Sequence, residues 1–462
     1  MKSISSLLII LIAALTLNAQ DITGQWNGAL TIQGNQLRLV FNVTKTDTGF
    51  SSTMDSPDQG AKDIPVTRTT FEDPKIKFEV SNLHIQYMGE LKGDEIIGTF
   101  KQGGHELAMN LSRKTIEKVA VKRPQDPVKP YPYYTEEVTF QNPKANCSLA
   151  GTLSLPKKDG NYPVVILITG SGPQNRDEEL LGHKPFLVIA DYLTKNGIGV
   201  LRYDDRGVGQ STGDFKAATS ADFATDVESA IAYLKTRKEI NKNKIGLIGH
   251  SEGGLIAPMV ASKSKDVSFI VLLAGPGIRG DKLLLLQQES IASASGALKT
   301  EIDKSLSTNA AIFEMVIKSP DDEKLRSNIT NVFNEQITPA EVPAGMTKDE
   351  FVLAQVNQIL SPWMVYFIKF DPATVLEKVK CPVLAVNGEK DLQVPPKENV
   401  PAIENALQKG GNKKVTTKVF PDLNHLFQEC KSGLPAEYAG IEQTFSPTAL
   451  DYITKWIIAQ AK

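Results

Sequence analysis

The sequence predicts an α/β architecture, a mostly parallel sheet with a helical cap insertion, preceded by a small all-β domain of meander or barrel-like form. Three observations carry that prediction. Residues 20–113 read as short alternating runs punctuated by Asn, Gly and Asp. From residue 135 to 462 apolar strand-like runs alternate with helical patterns, the grammar of a sheet covered on both faces. Between them, residues 114–134 hold Arg123-Pro124-Gln125-Asp126-Pro127-Val128-Lys129-Pro130-Tyr131-Pro132, where closely spaced prolines forbid helix and sheet alike and mark a linker. A length of 462 residues agrees, being too great for one ordinary domain.

The first residues differ in kind. Lys2 precedes an apolar run over residues 7–17, and Ala19 is a small residue suited to cleavage before Gln20, so residues 1–19 read as a secretory signal peptide. The run is about half the roughly 20 apolar residues of a spanning helix, and no second run of that length follows, so no stable membrane insertion is expected. The first cysteine is Cys147, which leaves nothing near the cleavage point to carry a lipid anchor. The expectation is an exported protein, periplasmic or secreted.

Composition narrows the partners. Lys and Arg number 51 against 53 Asp and Glu, a balance that gives no long-range field and argues against nucleic acid. Cys147, Cys381 and Cys430 lie far apart; one bridge is possible and none is required, and their spacing fits no zinc site, so no metal is expected.

In the all-β stretch, the runs at residues 29–32, 37–43, 75–80, 95–100 and 107–111 alternate as half-buried strands do, and Trp26 reads as a core residue. Beyond the linker, two lead-in strands are expected near 136–140 and 148–155. Apolar runs follow at 164–168, 200–203, 245–248, 269–273, 383–386 and 415–420, with helical patterns at 186–195, 222–235 and 254–262. The gap between 273 and 383 is too long for a connection and must hold structure of its own. Apolar spacing over 283–291, 302–317 and 351–360 makes it a helical cap spanning about 280–372, and Thr347 with Glu350 forms a capping box ahead of the last helix. An insertion there would sit above the carboxyl ends of the strands, where ligands bind.

After the run at 245–248 comes Gly249-His250-Ser251-Glu252-Gly253-Gly254, then an apolar helical stretch: G-x-S-x-G between strand and helix. Such a turn holds the serine in a strained conformation that exposes its hydroxyl, and glycine at 249 and 253 removes collisions from either side. A serine nucleophile needs a base. Of His84, His105, His183, His250 and His425, only His425 follows Ser251, as the chain order of this arrangement requires. His250 adjoins the serine, but its side chain should point away and pack, so it receives no catalytic role. The carboxylate that orients the base comes from Glu389 or Asp391, with Asp391, shortly before Val394-Pro395, preferred. Oxyanion donors are expected from the backbone N–H of Glu252 and from Gly170-Ser171-Gly172-Pro173, where Pro173 has no N–H and Ser171 is favoured over Gly172.

Taken together, the segments 169–177, Tyr203-Asp204-Asp205-Arg206-Gly207-Val208-Gly209-Gln210-Ser211-Thr212-Gly213, the serine turn and 387–395 resemble a bacterial carboxylesterase branch of the α/β-hydrolase superfamily, over residues 141 to the end. The resemblance implies Ser251, Asp391 and His425 as a triad, hydrolysis of short-chain esters, small-molecule or glycan-linked, and no cofactor. The all-β domain is similar to an extra module carried by some of these esterases. Arg176 and Arg206 read as braces beside the sheet. Gly275-Pro276-Gly277-Ile278-Arg279-Gly280 matches a dinucleotide-binding string, but its strand comes late and the serine turn already accounts for the region. Trp363, Tyr366, Phe367 and Phe370 could line an acyl pocket or simply pack the cap. The rival readings are a peptidase or amidase using the same residues, and a glycan-binding protein with an inert hydrolase domain; the sequence leaves oligomeric state open.

Overall fold

The computed structural model describes residues 21–32, 35–59, 61–83, 85–102, 105–117, 123–319, 323–338, 341–342 and 346–461. The segment expected to be a signal peptide, residues 1–19, lies outside the described residues. They fall into two compact units, one within Met1–Val119 and the other within Ala120–Val342 and Met346–Lys462.

In the first unit, β1 (Gly24–Ile32), β2 (Asn35–Thr46), β3 (Gly49–Ser56), β4 (Ala61–Val66), β5 (Arg68–Glu72), β6 (Lys75–Val80), β7 (Ile85–Lys92), β8 (Glu95–Gln102), β9 (His105–Ala108) and β10 (Leu111–Ser112) form one antiparallel sheet. The order is β4-β3-β2-β1-β10-β8-β7-β6-β5, with β9 on β8. The sheet curls until Thr69 of β5 donates to Ser52 of β3 at 2.8 Å, which nearly closes it into a barrel. The run expected at 107–111 holds one register along β8, continued between β9 and β10 by the Met109 N–H on the Gly98 carbonyl. Alternate residues point inward, so Trp26, Phe41, Phe78, Tyr87 and Ile96 share a core. Phe41 stacks on Phe78 at 4.4 Å, and Trp26 donates its indole N–H to the Ile22 carbonyl under the Arg113 guanidinium. β3 is absent from the sequence reading because Ser52 and Ser56 take two of its inward positions, which flattens the apolar alternation.

The second unit has an eight-stranded sheet: β11 (Tyr134–Asn142), β12 (Cys147–Leu155), β13 (Tyr162–Ile168), β14 (Gly199–Tyr203), β15 (Ile240–His250), β16 (Val267–Leu273), β17 (Val383–Gly388) and β18 (Val415–Phe420), ordered β11-β12-β14-β13-β15-β16-β17-β18. β11, β12 and β14 pair antiparallel, and β14 onward runs parallel. This is the α/β-hydrolase arrangement. Strands covered on both faces must be apolar on both. Val164, Ile166 and Ile168 of β13 therefore join one core with α2 (Ser220–Thr236) and α3 (Gly253–Ala261), while Val165 and Leu167 join another with α1 (Pro185–Lys195) and the C-terminal helix Pro447–Ala461. Each fully buried Val, Leu or Ile contributes about 1.5–3 kcal/mol.

The cap comprises α4 (Gly280–Ala294), α5 (Lys299–Lys318), α6 (Glu323–Gln336), α7 (Lys348–Ile359), α8 (Pro362–Lys369) and α9 (Ala373–Leu376). α5 to α8 enclose a core of their own, built on Ile312, Val316, Ile329, Val356 and Ile368. Thr347 and Glu350 close the capping box of α7, side chain to backbone in both directions. α6 is an element the sequence reading passes over: Leu325, Ile329 and Phe333 mark a single narrow stripe among polar neighbours. From Arg123 on, the proline-rich stretch is fastened to the second unit, Arg123 donating to the carbonyls of Ala439 and Ile441 and Gln125 to that of Phe445. Cys147, Cys381 and Cys430 are free thiols. Among the described residues no single helix is long and apolar enough to cross a membrane.

Candidate active site

β15 ends at His250, and α3 begins at Gly253. Between them Ser251 is left-handed, at φ 51°, a conformation that costs a non-glycine residue of order 1–3 kcal/mol. The crossing is tight. A Cβ at Gly249 would collide with the Gly253 carbonyl, and one at Gly253 with the Ile168 carbonyl at the end of β13. The Ser251 N–H donates to the Leu273 carbonyl at 2.9 Å, which ties the turn to β16.

β17 leads into the loop that carries Asp391. Its Oδ1 accepts the backbone N–H groups of Gln393 and Val394, at 2.8 and 2.9 Å, and its Oδ2 meets Nδ1 of His425 at 2.8 Å. Both side chains are buried. Nδ1 therefore carries the proton, and Nε2 is the nitrogen left to accept one. Glu389 is exposed and accepts instead from the Asp422 N–H. The His425 loop is held by Asn424, whose side-chain oxygen accepts the N–H groups of Leu426 and Gln428. Ser251 and His425 share no hydrogen bond, as is common before substrate tightens such contacts. Their proximity follows from His250: its ring lies 4.8 Å, centroid to centroid, from that of His425, and its Nε2 is 3.0 Å from the His425 carbonyl.

The loop after β13 approaches from the other side, since a Cβ on Gly170 would lie 3.2 Å from the Cβ of Ser251. The Gly170 N–H is committed to Oε1 of Glu178 at 2.7 Å. The N–H groups of Ser171 and Gly172, the latter at φ +92°, and those of Glu252 and Gly253 at the start of α3 are donors near the serine with no backbone partner among the described residues. The Glu252 carboxylate points away from the turn and is buried, accepting from Ser220 at 2.6 Å and from the indole of Trp363 on α8 at 2.8 Å. Burial raises its pKa against those two bonds. Asp205 accepts from Thr169 and from the Gln174 N–H, yet burial, with Glu252 and Glu178 nearby, pushes it up to about 8.

Two features escaped sequence reasoning, and for a third, the cap aromatics, the sequence leaves lining a pocket and packing both open. His250 is not merely packed but hydrogen-bonded at both ring nitrogens. Glu178 and Asp205 act through partners far away in the chain, so no local spacing marks them. The cap aromatics stack in pairs, Trp363 on Phe367 and Tyr366 on Phe370, against the main core, and Trp363 reaches the residue next to Ser251. Arg176 pairs with Asp204 and Glu137, and Arg206 with Asp226. In the glycine-rich string after β16, a Cβ at Gly277 would strike the Asn399 carbonyl, so close packing accounts for that glycine. Among the described residues no three His, Cys, Asp or Glu side chains gather as a metal site.

The sequence profile of the family described as "Serine aminopeptidase, S33" matches residues 185–429, more than half of the chain. The chain belongs to that family. "Esterase EstD" of Thermotoga maritima is 27% identical over 340 residues, covering 71% of this chain and 70% of that one. A "Putative carboxymethylenebutenolidase" of Synechocystis is 30% identical over 26% of this chain and 51% of its own. Among solved structures, a Pyrococcus furiosus esterase is 17% identical, with a TM-score of 0.44 over 75% of this chain and 100% of that one. This S33-family member is thus an enzyme of the hydrolase class, an α/β-hydrolase related to bacterial esterases.

Proposed function

We propose that this S33-family hydrolase cleaves carboxylic esters of small acyl groups through an acyl-enzyme on Ser251. The observation that carries the reading is the Asp391–His425 contact at 2.8 Å, on a loop whose backbone lies against the residue preceding a left-handed Ser251. The Ser251 hydroxyl attacks the ester carbonyl carbon as Nε2 of His425 takes its proton. Asp391 holds the Nδ1–H and stabilises the imidazolium that forms. The N–H of Glu252 and that of Ser171 or Gly172 receive the oxyanion, each donor worth roughly 3 kcal/mol in comparable sites. Collapse expels the alcohol, protonated by His425, and a water then repeats the sequence on the acyl-enzyme. None of these steps calls for a cofactor. Export after cleavage near Ala19, toward small-molecule or glycan-linked esters outside the cytoplasm, is part of the same proposal.

Ser251→Ala is expected to fold normally and lose turnover of a chromogenic short-chain ester by at least about a thousandfold. Retained hydrolysis by that variant sinks the reading. A second reading, cleavage of peptides or amides, draws support from the family's description as aminopeptidases. Rates on an ester and an anilide of the same acyl group separate the two, with the ester expected to be the faster.

A further inference from the structure

His250 is nearly inaccessible, and each of its ring nitrogens faces an oxygen. Nε2 lies 3.0 Å from the backbone carbonyl of His425, a group that can only accept, so Nε2 bears a hydrogen. Nδ1 lies 2.9 Å from Oε1 of Glu178, and that same oxygen already receives the Gly170 N–H at 2.7 Å. A carboxylate there accepts twice, which calls for a hydrogen on Nδ1 as well. Histidine holds a proton more tightly than glutamate by about two pKa units in water, so the proton shared across Nδ1 and Oε1 belongs to the ring.

Resting on the catalytic reading above, we propose that His250 is a positioning residue: a buried imidazolium, paired with Glu178, that fastens the Gly170 loop, the Ser251 turn and the His425 loop to one another. Every connection is short in space and long in sequence. Glu178 lies 72 residues before His250, and His425 lies 175 after it. Ser251 is bonded directly to His250 in the chain. The nucleophile, the base and the donor loop therefore share one charged hub, and losing either ring hydrogen releases one of the two loops. The titratable groups that face the ring are Glu178, His425 and Asp391. Burial opposes its charge, but Glu178, the His425 carbonyl and Asp391 outweigh that and hold its pKa above the ordinary histidine value.

The test uses the full-length protein. Nitrogen-15 NMR of histidine-labelled enzyme, with the His250 signals assigned by their disappearance in His250→Gln, is expected to show both ring nitrogens protonated at neutral pH and above. One protonated nitrogen at neutral pH overturns the proposal. The kinetic arm is Glu178→Gln, whose amide oxygen can still accept from Gly170 but which removes the charge. Misplacing catalytic groups by about 1 Å costs up to about a hundredfold, so kcat is expected to fall by about ten- to a hundredfold with KM little changed. The alkaline limb of its pH profile is expected to move to lower pH as His250 surrenders its proton earlier. A profile that superimposes on that of the unaltered enzyme also overturns the proposal. Should Glu178→Gln fail to fold, the NMR result on the unaltered protein decides alone. Because that signal does not depend on turnover, failure of the catalytic reading, seen as activity in Ser251→Ala, is distinguishable from failure of this one.

Discussion

The barrel and the hydrolase unit solve opposite problems. Among the described residues of the barrel the buried polar ones are Asn27, Ser52 and Ser56, all uncharged, and the rest of the described interior is aromatic, aliphatic or methionine. The hydrolase unit buries Glu178, Asp204, Asp205, Arg206, Asp226, Glu252, Asp281 and Asp391, together with His250 and His425. An unpaired charge in an apolar interior costs several kcal/mol. So many in one unit persist only where partners satisfy them, and Glu178, Asp205, His250, Glu252, Asp391 and His425 gather around the serine turn and the loops that meet it. Buried ionisable groups with displaced pKa values mark functional sites better than any count of apolar contacts. Around the serine turn His250, Glu252 and Asp205 meet that criterion, whereas in the described part of the barrel the buried ionisable group is Tyr87, its hydroxyl held between the carbonyls of Ile96 and Met109.

The contrast can be broken most directly at Asp391. Replacing it with Asn leaves the shape of the site but offers His425 the wrong partner, and kcat is expected to fall by about ten-thousandfold. A loss of less than tenfold, measured on the same chromogenic ester, would mean that the Asp391–His425 contact is structural. In the barrel, Trp26→Ala is expected to cost about 3–5 kcal/mol in that unit's unfolding free energy, read from denaturant titration, while ester turnover at room temperature stays within a factor of two or so. If turnover fell as far as in Asp391→Asn, the division of labour would be wrong. The smallest effect concerns Asp205. Its folded pKa of about 8 lies above its ordinary value of 3.8, so the native state holds this proton more tightly than the unfolded chain does. The stability linked to it is fully present below pH 3.8 and is lost as pH rises through about 8. Thermal melting points should therefore drop between about pH 4 and 8 by more in the unaltered protein than in Asp205→Asn, the difference levelling off above about pH 8. Equal slopes would show that the carboxyl is ionised throughout.

How much of this was legible in the sequence depends on the range over which each constraint acts. The inner strands of the hydrolase sheet announce themselves because burial on both faces makes a continuous apolar run, as in residues 164–168, whereas the edge strands β11 and β18 bury only some of their residues. The serine turn is legible because its crowding acts between neighbours in the chain. Asp391 and His425 were reached by their order along the chain, and the structure sets them 2.8 Å apart. Glu178 could not be found that way: its partners lie at positions 170 and 250, and nothing near residue 178 distinguishes it from Glu179, which is exposed. β3 and α6 were hidden for a different reason, because small polar residues and sparse apolar ones weaken the periodicity on which such readings depend.

The crowding at Gly249 and Gly253 has a consequence for how relatives of this protein are recognised. Both glycines are required by the closeness of strand, turn and helix, whether or not the hydroxyl between them ever reacts. A descendant that had abandoned catalysis would keep them for as long as it kept the sheet. The glycines are thus a record of architecture, and a lost vocation would be written first at positions 391 and 425.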